Sequence, residues 1–438
     1  MADSESLPGG VTVVGLGYVG LPLALAFAKK LPTTGFDLDA PRVDGLRAGI
    51  DHNSEVDSAT ILSSNLTLTT DVSCIADAEF IVVTVPTPVT DDHEPDLSLL
   101  ASVSASIGDQ LRGRSEGLPA PIVVYESTTY PGCTEEFCGP IIERESGLRS
   151  GEGFFLGYSP ERTNFGDAEH TLETVVKVVS GQTSAVAARV AETYGLIAKA
   201  GTHMAQSIKT AEASKVIENV QRDLNIALFN ELSIIFDRMG IQSSDVFDAA
   251  ATKWNFHRYQ PGLVGGHCIP VDPYYLAYAA ARTGYDADVV LTGRAINEGM
   301  PEYVAEKVER LARGRGGEPD SARVLVLGAT FKKNVADTRN SKAIVLAELL
   351  AGRFGVVHVY DPYFDPEDGL ERRFEVVGDP AGSGREYDLV VVAVGHSEFD
   401  VLEDQLPELL SPGGFVFDLT GTLAQNEKVA STTSVWSL

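Results

Sequence analysis

The chain has 438 residues and a mass of 46.7 kDa, which at the usual ~100–200 residues per domain predicts two or three domains. Apolar residues make up 44% and charged residues 22%, a globular composition that excludes disordered and fibrous classes. Basic residues number 34 and acidic residues 62, so the net charge is −28, and such a surface repels nucleic acid and anionic membranes.

The N-terminus begins Met-Ala-Asp-Ser-Glu-Ser, an acidic stretch without an apolar core, so we expect no signal peptide. No apolar run further along approaches the ~18–20 residues that span a bilayer, so we expect no membrane partner. Four cysteines in 438 residues do not make the framework of a disulfide-stabilised secreted protein. Together these features predict a reduced, cytoplasmic protein.

The first part of the chain alternates apolar β-branched runs with helical segments. Val11–Val14 and Thr33–Phe36 are predicted strands, and Leu21–Lys30 between them has helical composition. Three later apolar runs are predicted strands of the same kind: Phe80–Val85, Pro121–Tyr125 and Val175–Val179. Strands separated by helices predict an α/β fold with a doubly wound parallel sheet.

The pattern changes near residue 205. Residues 207–239 contain no proline and carry apolar residues at helical spacing, which predicts one long helix. A loop rich in glycine and proline, Pro261–Pro273, follows, and then further helix. Gly314–Asp320 has the composition of a linker, after which Arg323–Gly328 opens a second α/β pattern. We expect the two α/β ends to share a mononucleotide-binding topology.

These patterns predict three parts: an α/β domain at residues 1–205, a helical domain at 206–315 and a smaller α/β domain at 316–438. The apolar stripe of the long helix is broader than one domain contact needs. We therefore expect a homodimer, or a higher even oligomer, built on this helix.

A glycine-rich motif follows the first predicted strand. Gly15, Gly17 and Gly20 have the pattern G-x-G-x-x-G, which permits a tight turn, close approach of a pyrophosphate and helix–sheet packing. Asp37 ends the next strand about 20 residues on, where a carboxylate bonds the adenosine ribose and repels a 2′-phosphate. The context predicts NAD rather than NADP. Arg42 lies either over the adenine or on the surface as a solvated residue.

The helical middle carries a second group of candidates. Lys215 and Asn219 are four residues apart and share a helix face, where an ammonium and an amide can stabilise an oxyanion; a solvated lysine is the alternative. Cys268 lies in Gly-Gly-His-Cys-Ile-Pro-Val-Asp, which ends at Asp272. A thiol on a glycine-rich loop suits a nucleophile, whereas a small buried cysteine is the alternative. No second cluster completes a zinc site around His267, so we predict no metal.

Polar residues also follow other predicted strands. Thr128 and the pair Glu161-Arg162 stand at the carboxyl ends of strands, which face the ligand crevice, so that a hydroxyl and a carboxylate can position water there. Lys332 and Arg339 follow the first strand of the last α/β part and offer positive charge to phosphates.

Together these motifs resemble the UDP-glucose/GDP-mannose dehydrogenase family, the nucleotide-sugar 6-dehydrogenases, over nearly the whole chain. The resemblance is carried, in this order, by GLGYVGLPLA, TVPTP, YESTTYPG, YSPER, AEASKVIENVQRDLNIALFNEL, PGLVGGHCIPVDPYYL and FKKNVADTR. The fullest match is to the branch that oxidises UDP-N-acetylhexosamines, which includes the Vi-antigen type of UDP-N-acetylglucosamine dehydrogenase. The resemblance implies an N-terminal Rossmann domain, a central dimerisation domain and a C-terminal Rossmann-like domain that binds a UDP-sugar.

The family oxidises a sugar carbon-6 alcohol to a carboxylate with two NAD, through a thiohemiacetal and a thioester on a cysteine, for polysaccharide or glycan biosynthesis. The implied catalytic residues are Cys268, Lys215, Asn219, Asp272, Glu161 and Thr128. The implied NAD-binding residues are Gly15, Gly17, Tyr18, Val19, Gly20, Asp37, Arg42, Pro86, Thr87 and Thr128. The implied substrate-binding residues are Glu161, Arg162, Lys215, Asn219, Arg258, Gly265, Lys332 and Arg339.

One position departs from the UDP-glucose pattern. UDP-glucose members often carry a second Glu four residues after the one matching Glu161, and here Phe165 occupies that position. This favours a UDP-N-acetylhexosamine, with UDP-N-acetylglucosamine first and the epimer open, over UDP-glucose. Two other interpretations are a one-step β-hydroxyacid dehydrogenase, which needs no Cys268, and an NAD-binding regulatory protein that has lost catalysis.

The acidic surface predicts the response to salt. The chain has 12 Lys and 22 Arg against 62 carboxylates, a balance typical of salt-adapted proteins. We expect the melting temperature and the rate of NADH formation to rise with KCl well beyond ~0.5 M, where the screening length is roughly 4 Å and carboxylate repulsion is relieved. Both quantities are measured from low to multimolar KCl. If both peak at low salt, the prediction is wrong and the enzyme assignment is unaffected.

Overall fold

The computed structural model describes residues 7–53, 55–90, 92–163, 169–364, 371–380, 384, 386–403, 405–421, 423 and 433–438. The chain forms two compact units: a first unit of Met1–Glu218 with Tyr274–Asp286, and a second unit of Asn219–Pro273 with Ala287–Leu438. The three domain ranges 1–205, 206–315 and 316–438 stay predictions.

The first unit is built on one sheet, which within the described residues has eight strands in the order β3-β2-β1-β4-β5-β6-β7-β8. The strands are β1 (Val11–Val14), β2 (Thr33–Phe36), β3 (Thr67–Thr69), β4 (Phe80–Val83), β5 (Ile122–Tyr125), β6 (Phe155–Tyr158), β7 (Lys177–Gly181) and β8 (Thr202–Met204). All neighbours are parallel except β6 and β7. β1, β4 and β5 are buried along their whole length, as expected of continuous apolar runs in a parallel sheet. The strand order reverses between β1 and β4, and a ligand crevice is expected outside that point.

Helices join the strands of the first unit. They are α1 (Gly20–Ala28), α2 (Ala40–Arg47), α3 (Ser58–Leu62), α4 (Ser98–Arg112), α5 (Gly139–Ser146), α6 (Ser184–Gly195) and α7 (Ile208–Met239). The prediction of one long helix over residues 207–239 is confirmed by α7, along which the chain passes from the first unit into the second.

The remaining helices belong mainly to the second unit. They are α8 (Ser243–Ala251), α9 (Asp272–Arg282), α10 (Asp288–Gly314), α11 (Lys342–Ala351), α12 (Asp400–Glu403) and α13 (Leu406–Leu409). Most of α9 returns to the first unit, where the Tyr275 hydroxyl donates to the Pro88 carbonyl at 3.1 Å and the rings of Tyr130 and Tyr278 lie 5.2 Å apart. No helix in the described part of the chain is both long enough and apolar enough to cross a membrane.

The second unit contains another sheet, whose described strands are all parallel and have the order β11-β10-β9-β12-β13-β14. The strands are β9 (Arg323–Leu327), β10 (Val356–Tyr360), β11 (Glu375–Val376), β12 (Tyr387–Val392), β13 (Leu410–Asp418) and β14 (Ser434–Ser437). Apolar clusters cover both faces, one with residues of α10 and α11 and the other with residues of α12 and α13. The predicted α/β class with a second doubly wound sheet is confirmed.

A turn of the same conformation follows β1 in the first sheet and β9 in the second. Gly15 after β1 has φ +95°, and Gly328 after β9 has φ +93°. The Gly15 amide donates to the Phe36 carbonyl at 2.8 Å, and the Gly328 amide donates to the Tyr360 carbonyl at 2.9 Å. A left-handed φ favours glycine because it has no Cβ. The expected common topology of the two α/β ends is confirmed down to this turn.

Candidate active site

The three glycines of the turn after β1 differ in what the structure requires at their positions. Gly15 has a left-handed φ, which the turn requires. A Cβ at Gly20 would lie 1.8 Å from the Gly15 carbonyl oxygen, so α1 can approach the turn only because residue 20 is glycine. Gly17 has no such constraint, since a Cβ there would meet nothing within 4 Å. The open side of Gly17 therefore fits a ligand that approaches the backbone closely, as the pyrophosphate of NAD does.

Asp37 is held beside this turn. Its carboxylate accepts the Leu16 amide at 2.7 Å and the Asp39 amide at 3.0 Å, and its side chain is half-buried. Arg42 is buried, donates to the Leu16 carbonyl at 2.9 Å and pairs with Asp51 at 2.6 Å. This burial excludes the alternative of a solvated surface arginine. These hydrogen bonds support the turn after β1 and keep the Asp37 carboxylate next to the glycine motif.

The other predicted NAD-binding residues follow neighbouring strands. Tyr18 and Val19 lie half-buried in the turn after β1, Pro86 and Thr87 follow β4, and Thr128 follows β5. The Ser127 hydroxyl donates to the Val85 carbonyl at 2.6 Å, which ties the segments after β4 and β5 together. Because β1, β4 and β5 are parallel neighbours, all five predicted residues stand at the same edge of the sheet.

Glu161 stands after β6 at the same edge, in a cluster of charges. Its carboxylate accepts the Arg162 amide at 2.7 Å and the Thr163 amide, and its other oxygen lies 3.7 Å from the Lys177 ammonium. Burial opposes the charge of Glu161, but Lys177 and the Thr163 hydrogen bonds outweigh it and lower the pKa of this carboxyl. Sequence reasoning missed Lys177, although a lysine inside the run Val-Val-Lys-Val-Val is an unusual signal.

The Arg162 side chain is bound by other groups of the protein. Its guanidinium donates to the Val176 carbonyl at 2.8 Å and pairs with Glu218 of α7 at 2.8 Å. It therefore braces the segment after β6 against α7. Its predicted role in substrate binding stays a prediction.

Lys215 is buried on α7, one turn after another buried residue of that helix, Glu212. The Glu212 carboxylate accepts hydrogen bonds from the segment after β5: Thr134 donates its amide at 2.8 Å and its hydroxyl at 2.6 Å, and Thr129 donates its hydroxyl at 3.2 Å. Burial raises the pKa of Glu212 to about 7 despite these donors. Glu212 thus fastens the helix that carries Lys215 to the segment that carries Thr128.

Asn219, Cys268 and Asp272 belong to the second unit. The Asn219 amide nitrogen donates to the buried Asp272 carboxylate at 2.5 Å, so a hydrogen bond joins two of the predicted catalytic residues. Cys268 is half-buried, and its carbonyl accepts the amides of Val271 at 3.0 Å and Asp272 at 2.9 Å. Cys268 therefore stands one turn before the start of α9, and it is not the small buried cysteine of the alternative interpretation.

The glycine-rich loop before Cys268 packs closely on the segment after β9. A Cβ at Gly265 would lie 2.8 Å from the Asn340 carbonyl oxygen, and a Cβ at Gly266 would lie 2.8 Å from the Phe331 ring. Arg339 reaches the same place, with one guanidinium nitrogen 3.4 Å from the His267 ring. Two glycines are thus needed for the loop to meet the segment that carries Lys332 and Arg339.

Arg339 is held by Asp337. Its Nε lies 3.0 Å from both carboxylate oxygens of Asp337. Burial opposes the charge of Asp337, yet the Arg339 hydrogen bonds lower the pKa of this carboxyl. Arg339 thus carries its charge together with a carboxylate.

A cavity of about 300 Å³ in the second unit collects positive charge. Lys332, Lys333 and Lys342 line it, together with Gly265 and residues that follow β12 and β13. Lys333 and Lys342 were not predicted, and Lys342 also pairs with Glu298. In a chain with only 12 lysines and a net charge of −28, three lysines around one cavity point to an anionic ligand.

Arg258, the predicted residue of the loop before the glycines, pairs with Asp248. Both line a separate cavity of about 390 Å³ in the second unit. Phe165, the position that departs from the UDP-glucose pattern, lies outside the described residues.

No group of three or more possible metal ligands occurs among the residues that the structure describes, and the absence of a metal stays a prediction. All four cysteines are within the described residues and none forms a disulfide. Cys133 and Cys138 are both buried.

Asp37 generates a prediction about the cofactor. We expect the catalytic efficiency with NAD to exceed that with NADP by about 100-fold or more, because like charges ~4 Å apart repel by a few kcal/mol at a protein surface. Asp37→Asn should narrow this ratio, and Asp39→Asn, an exposed neighbour, should leave it unchanged. Initial rates with both cofactors measure the ratio. Equal efficiency of the wild type with NADP would show that Asp37 does not face the ribose.

Comparison with known proteins covers almost the whole chain. Three models of the UDP-glucose/GDP-mannose dehydrogenase family match: the NAD binding domain at residues 10–197, the central domain at 209–299 and the UDP binding domain at 325–425. The chain is 49% identical over 391 residues to a UDP-N-acetyl-D-glucosamine 6-dehydrogenase from Pseudomonas aeruginosa, covering 89% of this chain and 91% of that protein. It is 44% identical over 391 residues to a UDP-N-acetyl-D-glucosamine 6-dehydrogenase from Salmonella typhi, covering 89% and 90%.

Solved structures agree with these matches. A UDP-D-ManNAc dehydrogenase from Pyrococcus horikoshii superimposes with a TM-score of 0.82 at 28% identity, over 93% of this chain and 94% of that one. The predicted NAD cofactor and the predicted UDP-linked ligand are confirmed at the level of domains by the NAD binding and UDP binding models. The open turn at Gly17, the carboxylate of Asp37 and the lysine-lined cavity thus lie within matched domains, and the chain belongs to the UDP-glucose/GDP-mannose dehydrogenase family of NAD-dependent oxidoreductases.

Proposed function

We propose that the protein oxidises carbon 6 of a UDP-N-acetylhexosamine, with UDP-N-acetylglucosamine as the first choice, to the uronic acid. Two relatives at 49% and 44% identity are named for that substrate. The observation that carries the proposal is the half-buried Cys268 one turn before α9, in the same unit as the Asn219–Asp272 pair. A one-step alcohol dehydrogenase needs no thiol there, whereas a four-electron oxidation needs a nucleophile that retains the aldehyde.

NAD fits the first unit, where Gly17 leaves the backbone open and Asp37 offers a carboxylate. When bound, NAD supplies the hydride acceptor for each of the two oxidations. The roles of Tyr18, Val19, Arg42, Pro86, Thr87 and Thr128 in holding it are proposed from their positions in the turns after β1, β2, β4 and β5.

Cys268 carries the covalent chemistry. Its sulfur adds to the carbon-6 aldehyde and forms a C–S bond, which gives a thiohemiacetal. The thiohemiacetal then loses a hydride from carbon 6 and the proton of its hydroxyl group, which gives a thioester. Water breaks the C–S bond of the thioester, releases the carboxylate and returns the thiol. Lys215 and Asn219 stabilise the oxyanion of these steps by an ammonium and an amide. Glu161, Thr128 and Asp272 position the water or take its proton.

The second unit supplies the UDP-binding groups. The cavity lined by Lys332, Lys333 and Lys342 offers three ammonium groups, and a diphosphate carries the complementary charge. Gly265 lines the same cavity, and this position of the glycine-rich loop before Cys268 supports the proposal. Arg339 and Arg258 are proposed as further substrate ligands, each at present paired with a carboxylate.

The test is NADH formation with a panel of UDP-sugars. We expect two NADH per UDP-N-acetylglucosamine, a uronic acid product and weaker turnover of UDP-glucose. UDP-N-acetylmannosamine and UDP-N-acetylgalactosamine decide the epimer, since a structural relative is named for ManNAc. One NADH per sugar would favour a one-step dehydrogenase instead, and none would favour a regulatory protein.

Cys268→Ser provides the matched variant. A hydroxyl is a much weaker nucleophile than a thiol near neutral pH, so we expect net turnover to fall by at least about 100-fold while NAD binding is retained. Cys74→Ser, at a half-buried cysteine of the first unit, is the control and should keep normal turnover. Steady-state turnover by Cys268→Ser comparable to the wild type would eliminate covalent catalysis at this residue.

We also propose a homodimer built on α7. On this helix Leu228, Ile235 and Met239 are 50%, 42% and 63% exposed and are spaced seven and four residues apart, so they share one face. Trp254 in the same unit is 91% exposed. A run of large apolar side chains in water is unfavourable and typical of an interface.

Sedimentation velocity at micromolar concentration tests the dimer. We expect the wild type to sediment as a dimer or a higher even oligomer, and the double variant Leu228→Glu/Ile235→Glu to shift to the monomer because it buries two carboxylates in the interface. Arg222→Gln, exposed on the same helix but on another face because it lies six residues before Leu228, should behave as the wild type. A wild type that is fully active and only monomeric contradicts the proposal.

The composition, with few cysteines and none in a disulfide, supports a cytoplasmic location. We propose that location, since both nucleotide ligands are substrates of the cytoplasm.

A further inference from the structure

Lys177 is a charged residue in the core of the first unit. It begins β7, between valines, and its side chain is only 3% exposed. Its ammonium donates to the Glu126 carboxylate at 2.7 Å and to the Pro160 carbonyl at 3.0 Å. The same ammonium lies 3.7 Å from the Glu161 carboxylate. One buried cation thus serves two carboxylates at the carboxyl ends of β5 and β6.

Such a group is costly unless its neighbours require it. A buried ammonium loses its hydration, and this cost is offset only by good partners. Glu126 is itself fully buried and also accepts the Tyr194 hydroxyl. Glu126 and Glu161 share the Lys177 ammonium, so removal of this cation would leave the two carboxyls near each other without it.

The two carboxyls respond differently to this arrangement. Burial raises the pKa of Glu126, in spite of Lys177. Burial also opposes the charge of Glu161, but Lys177, the Thr163 hydrogen bonds and Lys215 lower the pKa of that carboxyl. Lys177 therefore favours the ionised form of both carboxyls, but only for Glu161, the residue proposed to act on water, do its neighbours together outweigh burial.

Lys177 also fixes the backbone beside Glu161. Its hydrogen bond to the Pro160 carbonyl holds the residue immediately before Glu161. The amides of Arg162 and Thr163 hold one Glu161 oxygen, which leaves the other oxygen on the side of the ammonium. Lys177 thus contributes to both the position and the charge of Glu161.

We propose that Lys177 is a positioning residue of the reaction, which keeps Glu161 ionised and oriented at the end of β6 so that Glu161 can take the proton of the water that breaks the C–S bond. The inference rests on the proposed function of Glu161. The charged and titratable groups that face Glu161 are Lys177 from β7, Glu126 from the segment after β5, Tyr194 from α6 and Lys215 from α7. Of the two cations, Lys177 has the larger effect.

The test is the pH dependence of kcat for the variants Lys177→Met and Lys177→Arg. An opposite charge within ~4–6 Å lowers a carboxyl pKa by roughly 1–3 units, so Lys177→Met should move the acid limb of the profile to higher pH by about 1–3 units. Lys177→Arg retains the charge and should move the limb by less than about one unit. Lys199→Met removes an exposed lysine of the same unit, paired with Glu173, and should leave the profile unchanged.

A charge-balanced variant keeps the test valid if Lys177→Met does not fold. Lys177→Met/Glu126→Gln removes the cation together with one of its two carboxylates, so this variant does not bury two neighbouring carboxylates without the ammonium. Its acid limb should lie above that of the wild type but below that of Lys177→Met, because the repulsion from Glu126 is gone while the cation is still missing. An acid limb identical to the wild type in this double variant would overturn the proposal.

Glu161→Gln separates this proposal from the proposed function. If Lys177 acts through Glu161, Glu161→Gln and Glu161→Gln/Lys177→Met should have the same kcat and the same profile. If Lys177→Met lowers kcat equally at every pH while Glu161→Gln is impaired, Lys177 is only structural and the proposal is wrong. If Glu161→Gln keeps wild-type kcat, Glu161 has no part in the reaction and the role of Lys177 falls with it.

Discussion

Parallel pairing of β1, β4, β5 and β6 brings the polar groups of the first unit to one edge of one sheet. In a parallel sheet every strand ends at the same edge, so residues far apart along the chain become neighbours. Gly15, Glu126 and Glu161 each follow such an end. Because these strands are buried on both faces, a polar side chain just after the end of a strand lies in a poorly hydrated environment. The charge of each group then depends on the partner it finds there.

Cations are the scarce partner in this protein. The chain has 34 basic and 62 acidic residues, so each basic side chain in the interior leaves one fewer positive charge to balance the acidic surface. Among the buried cations, Lys177, Arg42 and Arg294 each contact at least one carboxylate, and Arg294 contacts both Asp223 and Glu298. Buried pairs of this kind contribute little net stability, since desolvation offsets their attraction. Three other cations, Lys332, Lys333 and Lys342, line one cavity of the second unit.

Local patterns predicted the framework well. Val11–Val14 and Thr33–Phe36 form strands over the predicted residues, and α7 begins one residue after the predicted start, because apolar spacing and glycine positions act over short distances. The charge partners were not predictable. Lys177 and Glu126 are 51 residues apart, and only the pairing of β5, β6 and β7 brings them together. Arg42 was left undecided between two environments for the same reason, since its partner Asp51 is brought near by the loop after α2.

The shared glycine turn has a consequence for how the protein distinguishes its two nucleotides. In the first turn Asp37 accepts the amide of Leu16, and the backbone stays open at Gly17. In the second turn Asp361 accepts the amides of both Ala329, at 2.6 Å, and Thr330, at 2.9 Å. Two peptide amides of the second turn are thus already bound by a carboxylate. Two turns of the same conformation thus leave different groups available to a ligand: an open main chain at Gly17 in the first sheet, and lysine side chains around a cavity in the second.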